Sequence, residues 1–136
     1  MLEDNDKTIG VVSGVLGIRW FDCTVTGMEA HAGPTPMALR KDALLAATRI
    51  MQDVVAAAHR HPPHGRGTVG MVQVFPNSRN VIPGRIKFSI DLRNSTDTLV
   101  DAMAAEVKAF ADQVAKEHGV QVHIEMVSSY PAPVSY

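Results

Sequence analysis

Between Ile86 and Arg93 the chain alternates without a break: Ile86, Phe88, Ile90 and Leu92 are apolar, and Lys87, Ser89, Asp91 and Arg93 between them are polar or charged. Successive side chains of a strand point to opposite faces, so this pattern requires a β-strand with one face in a core. The other face is wet or forms the wall of a site. Two further stretches carry the same period. From Arg19 to Val25, Phe21, Cys23 and Val25 oppose Trp20, Asp22 and Thr24, and from Val120 to Met126, Val120, Val122, Ile124 and Met126 oppose Gln121, His123 and Glu125. Thr68 to Phe75 is β-like as well, and the turn Pro76-Asn77-Ser78-Arg79 separates it from the next strand.

Between these strands the period becomes helical. Leu44, Thr48, Met51, Val55 and Ala58 recur on one side with Leu45, Ala47 and Val54 beside them, and Arg40, Lys41, Arg49, Gln52 and Asp53 fall opposite. Thr35-Pro36 is the expected opening, the threonine oxygen accepting from early N–H groups and the proline taking the first helical position. Pro62-Pro63 ends it. A second helix is marked by Leu99, Met103, Val107, Phe110 and Val114, with capping candidates in Asn94-Ser95-Thr96-Asp97 and a stop at Gly119. The order strand, helix, strand, strand, helix, strand predicts an α+β, ferredoxin-like βαββαβ domain: a four-stranded antiparallel sheet with two helices on one face.

A length of 136 residues suits one domain with a real core. The formal net charge of −1 argues against a nucleic-acid surface or a membrane-steering patch, which need basic residues gathered on one face. The single cysteine, Cys23, has no partner for an internal disulfide and reads as a small core residue of a protein in a reducing compartment. The polar start, Met1 to Lys7, lacks the basic and apolar regions of a signal peptide, and no run is long enough to cross a bilayer, so a cytoplasmic protein is expected.

Chemistry concentrates in three places. Thr26-Gly27-Met28-Glu29-Ala30-His31-Ala32-Gly33-Pro34-Thr35-Pro36 puts a histidine between glycines, which can take backbone angles closed to other residues, and prolines, which fix φ. Such a loop holds one shape and presents His31 at the surface, although solvation alone also explains a loop histidine. Asn80 lies in Ser78-Arg79-Asn80-Val81-Ile82-Pro83-Gly84, where Pro83 keeps Ile82 extended and the turn is defined. Arg93 ends the best-patterned strand, and a guanidinium there can grip a carboxylate with two parallel hydrogen bonds. Taken singly, Asn80 also reads as a turn former and Arg93 as a surface charge. The tract His59-Arg60-His61-Pro62-Pro63-His64 lacks neighbouring carboxylates or thiolates and is a weak metal signal. There is no nucleophile–base pair and no phosphate loop: the chain carries binding equipment without a reaction centre.

These motifs, Thr26-Gly27, Ala30-His31-Ala32-Gly33, Thr35-Pro36-Met37, Arg40, Asp42-Ala43, Asn80-Val81-Ile82-Pro83-Gly84 and Asp91-Leu92-Arg93, resemble the lid, or dimerisation, domain of zinc-dependent amidohydrolases of the hydantoinase/carbamoylase group, relatives of the aminoacylase and carboxypeptidase clan. Pro34 departs from the threonine more usual there. The resemblance implies that His31 polarises the scissile carbonyl or stabilises the oxyanion, reaching into a neighbouring subunit's site, and that Asn80 and Arg93 bind a substrate carboxylate. It implies a homodimer joined through a sheet edge and a helix. It also implies two divalent metal ions, zinc or else manganese, cobalt or nickel, held by a separate catalytic domain and not by this stretch. On that basis residues 1–17 are expected to be a connecting segment, 18–127 the lid domain, and 128–136 an extended return segment. The expected reaction is hydrolysis of linear amides, foremost N-carbamoyl-L-amino acids, with the isolated domain inactive. The rival expectation is a free-standing ferredoxin-like module that binds a small ligand or assembles without catalysis.

Overall fold

The computed structural model describes residues 16–133. Most of the expected connecting segment, 1–15, and the last three residues of the expected return segment lie outside them. The chain runs β1 (Gly17–Thr26), β2 (Ala30–His31), a 3-10 turn (Met37–Leu39), α1 (Ala43–Arg60), β3 (Arg66–Thr68), β4 (Val72–Phe75), β5 (Val81–Ile82), β6 (Arg85–Asn94), α2 (Asp97–His118) and β7 (Gln121–Tyr130).

β6 and β1 form the centre of an antiparallel sheet, paired from Gly17↔Asn94 to Thr26↔Arg85. β7 lies on the outer side of β1, and β3 and β4 share the outer side of β6. This is the ferredoxin-like α+β arrangement, with one difference from the expected single strand over Thr68–Phe75. That strand is broken at Val69–Met71, where Ser89 Oγ on β6 accepts from the N–H groups of Gly70 and Met71 and replaces part of the ladder. A second difference lies at the end of β7, which stays paired to β1 through Tyr130 where an extended tail was expected from Ser128.

The alternation in β1 and β6 holds, and Phe21, Cys23, Val25, Ile86, Phe88, Ile90 and Leu92 are all buried under the two helices. Each of the valine, isoleucine, leucine and phenylalanine side chains contributes about 1.5–3 kcal/mol by leaving water. Burial pushes the Cys23 thiol up to about 12, so it is an inert core residue. In α1 the buried stripe is Ala43, Ala46, Ala47, Ile50, Val54 and Ala57, while Leu45 and Val55 are exposed. The expected face is thus rotated towards the alanines, whose short side chains let the helix lie close to the sheet. α2 buries Val100, Met103, Ala104, Val107, Ala111 and Val114, and Thr96 caps it through Leu99 N–H. Among the described residues, no helix is long and apolar enough to cross a membrane.

Candidate functional site

β1 ends at Thr26, and the chain turns sharply into the His31 loop. Gly27 N–H donates to Gly84 O and Met28 N–H to Lys41 O, both at 2.8 Å. Neither Gly27 nor Gly33 has the positive φ that the sequence suggested; at Gly27 the requirement is space, because a Cβ there would run into Lys41 O. β2 then pairs with β5, His31 opposite Val81, and Ala32 N–H donates to Asn80 O at 2.8 Å. His31 and Asn80 therefore lie on the two arms of one ribbon, one residue out of register, His31 opposite Val81 and Asn80 bonded to Ala32.

The ribbon is held from behind. Arg40 Nη2 donates to Ala32 O at 2.7 Å and Thr35 O at 3.1 Å, and Thr35 Oγ1 donates to His31 O at 2.7 Å. Thr35 therefore does not cap a helix. The 3-10 turn at Met37–Leu39 has nothing to bury, Met37 and Leu39 being exposed, and the chain is extended again at Arg40. α1 starts only at Ala43, where Asp42 Oδ1 accepts from Leu44 N–H and Leu45 N–H. A carboxylate is the stronger cap, satisfying two otherwise unpaired donors and favoured by the helix dipole.

The His31 ring is exposed and accepts from Gly33 N–H through Nδ1 at 3.1 Å. In the neutral ring that bond leaves the proton on Nε2, making Nε2 a donor for an outside acceptor. Asn80 is exposed too, and its Oδ1 accepts from Ser78 Oγ at 3.1 Å, which leaves the Nδ2 donor pair and one Oδ1 lone pair for an outside partner. Together these are two donors on a preorganised ribbon, suited to carboxylate or developing oxyanion charge.

Arg93 is not brought to them. It lies at the opposite end of β6, paired with Ile18 and Arg66, roughly 25 Å along the strand from Arg85, where the ribbon begins. There, on the open sheet face, Nε and Nη2 bond Asp91 Oδ1 and Oδ2 at 2.9 and 3.0 Å. Trp20 Nε1–H donates to the same carboxylate at 3.0 Å. Hydrogen bonding to Asp91 raises the Arg93 pKa, so the guanidinium is a permanent cation. With one edge fixed, its Nη1 side remains to grip an anion. The roles of Arg40 and Asp91 were not foreseen. The i, i+2 spacing of Asp91 and Arg93 was a usable signal for the second.

Two residues of the histidine tract are otherwise employed. His61 Nε2 and Arg60 Nε meet Glu106 at 2.8 and 2.9 Å, tying α1 to α2, and Arg60 also pairs with Asp53. Among the described residues, no three His, Cys, Asp or Glu side chains converge to hold a metal ion.

Comparison with known proteins gives the same motifs a family. Residues 13–119 match the model of the peptidase dimerisation domain. The chain is 40% identical over 136 residues to an N-carbamoyl-L-amino-acid amidohydrolase of Rhizobium meliloti, covering 100% of this chain and 32% of that protein. It is 32% identical over 134 residues to an allantoate amidohydrolase of Bacillus subtilis, covering 98% of this chain and 32% of the relative. A crystal structure of a hydantoinase/carbamoylase family amidase from Burkholderia multivorans superposes with a TM-score of 0.84 at 44% identity, over 86% of this chain and 28% of that one. The chain thus spans about a third of the length of the curated relatives it matches. By the matched residues and by its fold, it belongs to the peptidase dimerisation domain family.

Proposed function

We propose that this domain is the lid and dimerisation domain of a metal-dependent amidohydrolase that cleaves linear amide bonds, foremost those of N-carbamoyl-L-amino acids. Arg93 and Asn80 bind the substrate carboxylate, and His31 Nε2–H steadies the negative charge that develops on the carbonyl oxygen. The observation that carries this reading is the clamped ribbon, which holds exposed His31 and Asn80 on its two arms while His31 Nδ1 is already satisfied. The described residues do not fit a metal ion. The ions, zinc or else manganese, cobalt or nickel, belong to the remaining part of such an enzyme.

The separation of Arg93 from His31 and Asn80 supports a site shared between two protomers of a homodimer, each lending its ribbon to the other. In the full-length protein, His31→Ala is expected to lower kcat about 10²–10³-fold with little change in KM. Arg93→Ala is expected mainly to raise KM for carboxylate-bearing substrates. Mixing the two variants during refolding should restore activity, because one site of a mixed dimer then has both groups intact. If kcat and KM are unchanged in Arg93→Ala, or mixing restores nothing, the assignment fails. The domain alone is expected to hydrolyse nothing.

A further inference from the structure

The sheet face turned away from the helices is not flat. Beside Arg93 it carries a cleft of about 460 Å³ whose lining includes Trp20, Asp22, Met71, Ser89, Asp91 and Val127. That is within the range of small-molecule sites, roughly 300–1,000 Å³. β1 supplies Trp20 and Asp22, and β6 supplies Ser89 and Asp91. Val127 sits at the register shift of β7, where Trp20 faces Ser128 and Phe21 faces Met126. Met71 comes from the break between β3 and β4, its backbone held by Ser89 through its N–H at 3.0 Å and its carbonyl at 3.0 Å.

Trp20, Met71 and Val127 are 41%, 67% and 54% exposed, a cluster of apolar surface on an otherwise polar strand face. The two carboxylates in the wall are engaged, Asp91 by Arg93 and Trp20, and Asp22 by Lys87 at 3.9 Å. What the cleft offers a ligand is therefore mainly aromatic and aliphatic. Asp91 is at once part of this wall and the partner of Arg93, so the anion-gripping edge and the apolar cleft adjoin. A molecule with its carboxylate on Arg93 would lie next to Asp91, at one end of the cleft's lining.

Building on the reading of Arg93 as the carboxylate grip, we infer that this cleft receives the side chain of an amino-acid substrate and selects N-carbamoyl amino acids with large apolar side chains. Trp20, Met71 and Val127 are then the specificity-determining residues, and neither N-carbamoylglycine nor allantoate, with its polar ureido group, fills the space.

The test uses the full-length protein with N-carbamoyl-L-phenylalanine, N-carbamoyl-L-leucine, N-carbamoyl-L-lysine, N-carbamoylglycine and allantoate. Wild type should favour the phenylalanine and leucine derivatives in kcat/KM. Met71→Ser combined with Val127→Ser leaves the Trp20–Asp91–Arg93 contacts alone. It should reduce that preference over glycine about tenfold, with the glycine value unchanged. An unchanged preference in the double variant overturns the inference, as does wild-type preference for allantoate or for the lysine derivative, drawn by Asp22. Arg93→Ala separates the two levels. If it raises KM for every carbamoyl substrate while the double variant shifts nothing, the cleft inference alone fails; if it moves no KM, the carboxylate reading beneath it fails as well.

Discussion

Arg19 shows how one side chain departs from its pattern and what the departure does. It sits on the helix side of β1, only 6% exposed, and donates from Nε to Asp101 at 2.9 Å and from Nη2 to Asp97 at 3.1 Å. Its Nη1 reaches the carbonyls of Ile18 and Tyr130. Replacing it by Met leaves these acceptors to water, and urea unfolding should show a loss of about 1–2 kcal/mol. Ala132 N–H, and after it Arg19, hold the Asp97 carboxyl below its ordinary value of 3.8. A carboxyl with a depressed folded pKa stabilises fully above its unfolded pKa and stops doing so as pH falls through the folded one. The fold should therefore lose stability below about pH 4, and Asp97→Asn should flatten that acid limb in pH-dependent unfolding; an unaltered limb would remove Asp97 from it. At this scale the sequence reveals residue types in exposed turns and at strand ends, which is why His31, Asn80 and Arg93 stand out. It does not reveal partners such as Arg40 for the loop carbonyls or Trp20 for Asp91, because those depend on register and on where a helix begins.

Among the elements, those with strong periods are legible and those decided by close packing are not. β1, β6 and α2 lie where alternation and capping place them, β7 alternates as expected only to Glu125 before its register shift exposes Met126, and Gly119 ends α2 in the left-handed region at φ 66°. A Cβ there meets nothing nearer than 3.7 Å, so Gly119→Ala isolates the backbone term. A loss of about 1 kcal/mol in chemical denaturation is expected, and no loss would mean the cap relaxes. In α1 the expected apolar side held Leu45 and Val55, which are exposed, and left out Ala43, Ala46 and Ala57, which are buried and let the helix lie close to the sheet. The break between β3 and β4 was hidden for a related reason, since Val69, Gly70 and Met71 read as strand until Ser89 is seen to take their N–H groups.

At the scale of the whole molecule, the two sheet edges are unequal. The β3–β4 edge is interrupted, whereas β7 is a ten-residue strand open on its outer side, with Met126, Val127 and Tyr130 exposed. A long open edge invites a second copy. Hydrogen exchange measured at rising protein concentration should show alternate β7 amides becoming protected as sedimentation shows the mass doubling; protection independent of concentration would move the dimer contact elsewhere. The first and last described strands also open and close side by side, Ile18 opposite Tyr130, at the end of the sheet where Arg93 lies. Both described ends thus lie at one corner, and on the lid reading proposed above the domain would hang there like a door on a single jamb. A swing of about 10° about that corner would carry the far ribbon some 4 Å, about one hydrogen-bond length and more, while barely displacing Arg93. On that reading the proposed grip stays at the pivot, and the imidazole travels.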